Sequence, residues 1–166
     1  MKKLLFSLAF SSGLLAQTVW ATPATAYILD LKLSNQLAQQ VMQTCIKKSK
    51  PAAVVILDQT GQVLASQRHE SVGPHNLIAA QRKAFTAYST KTSTLDFMRS
   101  AQKNPDATNL NTLPELLLLG GGVPLLYKNQ LLGAVGVAGA GGSVQDHACA
   151  QHAVGQMLKT LENSQR

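Results

Sequence analysis

Hydrophobic positions along the chain change period several times, and each change marks an element. An unbroken apolar run from Leu4 to about Ala16 opens the sequence. Leu37, Val41 and Cys45 then recur at helical spacing. Ser34 is the expected N-cap of a helix over about 35–48, which Lys47, Lys48 and Lys50 favour at its carboxyl end and Pro51 stops. Ala53–Leu57 reads as a short strand, Asp58-Gln59-Thr60-Gly61 as a turn and 62–67 as the partner strand. Asp58 is expected to accept hydrogen bonds from its own turn. His69–His75 is a loop punctuated by Gly73-Pro74. An amphipathic helix over 76–89 places Leu77, Ile78, Gln81, Ala84, Phe85 and Tyr88 on one face. A second helix covers 94–103 and ends before Pro105, and 104–113 reads as a polar surface loop able to act as a lid. Leu116–Leu119 is a candidate short strand. The stretch Gly120–Gly142 reads as two apolar strands joined at Lys128-Asn129-Gln130, then a glycine loop that launches a last helix near Val144. Ser143 and Asp146 are spaced like a capping box, a structural role that accounts for Asp146.

Hairpins with helices grouped between and around them imply an α+β domain. The first apolar run changes its extent. Lys2 and Lys3 precede it and small residues follow at Ala21 and Ala26, so 1–26 reads as a secretory signal peptide cleaved after one or the other. Residues 27–166 are then a single domain, with a periplasmic or secreted destination expected. Loss of Lys2 and Lys3 lowers the formal charge from +7 to +5. A mildly basic surface suits anionic ligands. Scattered basic residues and few aromatics disfavour nucleic acid.

The motifs narrow this further. Gly120-Gly121-Gly122-Val123-Pro124, the run Gly133 to Gly142 and the following Asp146, Lys83-Ala84-Phe85-Thr86-Ala87, and Val54-Val55-Ile56-Leu57-Asp58 with Gly61 and Arg68 together resemble the GlcG/HbpS-like family of small haem-binding domains, over about 34–160. The resemblance implies a profilin-like sheet of about five antiparallel strands flanked by helices. It implies non-covalent haem b, a homo-oligomer and a membrane sensor or haem-uptake partner, and it links such domains with haem degradation. It also implies that the first and last helices lie side by side. In that arrangement Cys45 and Cys149, the two cysteines of an exported chain, can either form a bridge or remain buried thiols.

A haem site needs an apolar slot, one or two axial ligands and cations for the propionates. Of the four histidines, His75 at the start of the Lys83-bearing helix is the first choice for the iron and His69 the second. His147 and His152, five apart on a helix, diverge. Tyr88, Tyr127 and Met98 are outside candidates. Arg68, Arg82 and Lys83 are the basic residues nearest the loop. Lys83 and Thr86 either line the slot or pack structurally. There is no C-x-x-C-H for covalent haem, no phosphate loop and no G-x-S-x-G. The expectation is an exported protein that captures, stores or senses haem. The alternatives are a haem-degrading enzyme and a non-haem interaction or sensor accessory domain, so enzymatic activity stays open.

Overall fold

The computed structural model describes residues 27–163, so the signal-peptide reading of 1–26 lies outside the described residues. Helix α1 spans Leu31–Lys48, starting earlier than the apolar stripe suggests. Asp30, not Ser34, is its cap: the Asp30 carboxylate accepts from the Leu33 amide at 2.7 Å. Ser34 is buried inside the helix. Strands β1 (Ala53–Leu57) and β2 (Val63–Arg68) form the expected hairpin. Asp58 closes the turn by accepting from the Thr60 hydroxyl and amide, both at 2.7 Å, and from the Gln62 amide at 3.1 Å. Its slight burial works against the charged form, but these bonds outweigh it and hold the carboxyl below its ordinary value.

Helix α2 spans His75–Thr90, and the expected face is met only in part: Ala84 is buried and Leu77, Phe85 and Tyr88 pack half-buried, but Ile78 and Gln81 face solvent. Its inward stripe is Ala80, Lys83, Ala84 and Ala87, while Ile78 is 65% exposed. Side-chain size does not choose the face; the sheet does. A Cβ at Gly136 would collide with the Ala80 carbonyl oxygen, so helix and strand approach through their smallest residues. Helix α3 (Thr94–Lys103) follows, capped by Ser93. The expected polar loop is instead wound into 3-10 turns over Pro105–Thr112, because Asn104 accepts from the Asp106 amide and Pro105 suits a first helical position.

Strands β3 (Gly122–Tyr127) and β4 (Gln130–Ala138) complete the sheet. Lys128 and Asn129 both take positive φ, 47° and 63°, the geometry of a tight hairpin turn. The sheet is four-stranded, ordered β2-β1-β4-β3 and antiparallel throughout. The strand expected over 116–119 does not form: the Leu117 amide donates to the Thr86 hydroxyl at 2.8 Å and the Leu119 amide to the Leu117 carbonyl. Helix α4 spans Ser143–Asn163.

The α+β architecture is therefore three layers. Helices α1 and α4 cover one face of the sheet and α2 the other, which is why every residue of the central strand β1 is buried. A disulfide joins Cys45 of α1 to Cys149 of α4 across a Cα separation of 5.1 Å. Among the described residues no helix is long and apolar enough to cross a membrane.

Candidate functional site

The polar centre of the molecule lies where α2 meets the first turn of α4. Lys83 is 3% exposed, and its ammonium donates to the Asp146 carboxylate at 2.7 Å and to the Val137 carbonyl at 3.0 Å. Asp146, also 3% exposed, accepts from the Ala140 amide at 2.7 Å through its other oxygen. A buried charge without its partner is costly, so each holds the other in place. Gly121 makes room for the pair: it has φ +129°, and a Cβ there would lie 2.9 Å from that of Asp146 and 3.1 Å from Cδ of Lys83. The glycine loop is tied on its other side by the Ser49 hydroxyl, which donates to the Ala140 carbonyl. The capping-box reading of Asp146 is thus corrected. Its carboxylate bonds to Lys83 and to the loop before the helix, and sequence periodicity could not show this because Lys83 lies 63 positions away.

Beside this pair opens a groove of about 460 Å³ between the start of α2, the end of β4 and the glycine loop. Ala79, Leu119 and Ala138 give it apolar walls, and His75, Asn76 and Lys83 line it as well. His75 is exposed, and its Nε2 lies 3.2 Å from Nδ2 of Asn76. The groove unites His75 with Lys83. His69, Arg68 and Thr86 are not among its lining residues. His69 sits at the other end of the loop, its Nδ1 2.8 Å from the Ser71 hydroxyl and 3.5 Å from the Glu70 carboxylate. Arg68 donates from one terminal nitrogen to the carbonyls of His69, Glu70 and Val72, stapling that loop. Thr86 donates to the Arg82 carbonyl and accepts from Leu117, which fixes the segment ahead of β3. Arg82 donates to the Leu116 carbonyl at 2.6 Å.

The remaining histidines lie elsewhere. His147 is half-buried on α4; desolvation lowers its pKa, with Asp96 opposing and Arg99 assisting, and its Nδ1 has no partner among the described residues. His152 is exposed near Lys47 and Lys48. Among the described residues no three His, Cys, Asp or Glu side chains converge to hold a bare metal ion. A porphyrin brings four nitrogens of its own and asks the protein for an apolar wall and one or two axial groups. The groove offers one imidazole and an apolar wall of Ala79, Leu119 and Ala138, with Asn76, Lys83, Ser143 and Asp146 as its polar part, and so fits that requirement.

Comparison with known proteins agrees with this architecture. The family described as haem degrading protein HbpS-like matches residues 29–155. Protein GlcG of Escherichia coli K12 is 29% identical over 114 residues, covering 69% of this chain and 84% of that protein. A 15.0 kDa protein from the dhaT-dhaS intergenic region of Citrobacter freundii is 25% identical over 76% of this chain and 89% of its own length. Among solved structures, HbpS superposes with a TM-score of 0.71 at 27% identity, covering 83% of this chain and 98% of that one. The structure of a PduOC complex with haem shares the fold at a TM-score of 0.61 and 24% identity, over 74% of this chain and 93% of that one.

Proposed function

We propose that this chain, which belongs to the HbpS-like family, is an exported haem-binding protein that captures, stores or senses haem, with His75 as the axial ligand. The observation that carries the reading is the single groove that places the His75 imidazole beside Ala79, Leu119 and Ala138. In that role the apolar residues would exclude water from a flat face, and Asn76 would orient the imidazole through its 3.2 Å contact. The Lys83–Asp146 pair holds the groove's inner wall rigid. Bound haem supplies the redox-active iron. Titration of the purified protein with hemin tests this: a saturable Soret shift is expected, and its absence relative to a non-binding control sinks the proposal. His75→Ala is expected to change the ligand-field spectrum more than His69→Ala; the opposite order reassigns the ligand to His69.

The family's description as haem-degrading favours a second reading, oxidative breakdown of the bound haem. Loss of the Soret band with reductant and oxygen that persists in the presence of catalase supports turnover within the protein. Protection by catalase assigns the loss to free peroxide.

A further inference from the structure

The His75 groove does not end at Asn76. A second cleft, of about 220 Å³, shares Asn76 and Gly139 with it and continues along Pro51, Ser71 and Val72 to Lys50. Gly139 borders both clefts: it has φ +100°, and a Cβ there would lie 3.0 Å from the Val72 side chain and 3.3 Å from that of Asn76, so these two side chains stand over it.

The cations around these two clefts differ in what already holds them. Lys83 is neutralised by Asp146. Arg68 is bonded to three loop carbonyls. Arg82 is bonded to the Leu116 carbonyl and lines a different hollow, with Phe85 and Glu115. Lys50 lines the far end, is exposed, and makes no hydrogen bond or ion pair among the described residues. The acid nearest that end in sequence, Glu70, is directed to His69. From this contrast we infer that Lys50 is the cation that receives the carboxylate edge of a flat, mostly apolar ligand whose centre lies against His75. The assignment rests on the haem reading above. It moves the carboxylate partner away from Lys83, which Asp146 neutralises, and from Arg68, one terminal nitrogen of which is bonded to loop carbonyls, to a lysine that lies outside the α2 motif.

The test compares hemin with its dimethyl ester, which keeps the macrocycle and removes both carboxylates. The unsubstituted protein, Lys50→Ala, Lys50→Arg and the control Lys48→Ala are each titrated with both. Lys50→Ala is expected to weaken hemin binding about 2-fold to 5-fold, the range of a partly exposed ion pair, and to leave ester binding unchanged. Lys50→Arg restores the preference for hemin, and raising the salt concentration erases it. Normal hemin binding with an unaltered acid-to-ester ratio in Lys50→Ala overturns the Lys50 assignment and leaves the haem reading standing. An equal loss in Lys48→Ala also overturns it, since general surface charge would then suffice. Failure of the unsubstituted protein to bind either porphyrin overturns the haem reading itself.

Discussion

The two faces of the sheet are built from different material. On the α1 and α4 side, Val54, Ile56, Leu125, Val135 and Val137 meet Leu37, Val41, Ala153 and Met157, and the Cys45–Cys149 bridge runs between the helices. Large aliphatics interdigitate there, and the layer is sealed. On the α2 side, Ala53, Val55 and Ala138 meet Ala80 and Ala84, and Gly136 lets the helix backbone come down onto the strand. Little side-chain volume separates α2 from the sheet. The buried Lys83–Asp146 pair and the open groove both lie at the edge of this thin layer. One face supplies bulk stability, and the other trades volume for a shaped surface.

Substitutions can break this contrast. The largest effect is expected from Gly136→Val, which drives a branched side chain into the Ala80 carbonyl: more than about 4 kcal/mol by urea denaturation, or no folded protein. Val137→Ala, the neighbouring residue facing the aliphatic side, is expected to lose only about 1–3 kcal/mol. Equal losses would mean that close approach is not what distinguishes the faces. Lys83→Met leaves the Asp146 carboxylate buried without its cation, at a cost of about 3–5 kcal/mol. Adding Asp146→Asn removes the stranded charge while keeping an acceptor for the Ala140 amide, so the double variant should recover most of that loss.

On the sealed face, replacing Cys45 and Cys149 together by Ala should cost about 2–4 kcal/mol. The groove and its hemin titration should be affected far less than by Lys83→Met, because Val41, Ala153 and their neighbours still pack α1 against α4. The smallest effect concerns His147, where α4 passes α3. Its folded pKa lies below the ordinary 6.5, so the unfolded chain binds the proton more readily. That stabilisation is complete above pH 6.5 and is lost as pH falls through the lower folded value. His147→Gln should flatten this part of the stability profile, with Asp96 and Arg99 left in place; an unchanged slope would assign it to another group.

Much of the fold was readable because it follows local rules. The β1–β2 hairpin with its Asp58 turn, α3 with its end before Pro105, and the Lys128–Asn129 hairpin all depend on neighbours in sequence. The misreadings share a cause. Ile78 looked like part of the inner face of α2 because apolar size usually marks burial, yet it is exposed, and the glycine-bearing strand admits the small Ala80 beside the expected Ala84. Leu116–Leu119 looked like a strand, but Thr86 captured the Leu117 amide. Asp146 looked like a helix cap until α2 brought Lys83 to it.

The sequence by itself determined the α+β class, the order of the elements, the family resemblance and the histidine-bearing loop, since each rests on periodicity, turn chemistry or motif. Tertiary structure alone decided which face of α2 is buried, that Cys45 and Cys149 are bonded, that Lys83 is neutralised, and that the His75 groove adjoins the cleft lined by Lys50. Those outcomes depend on distances between residues far apart in the chain. Only the packing of whole layers brings such residues together.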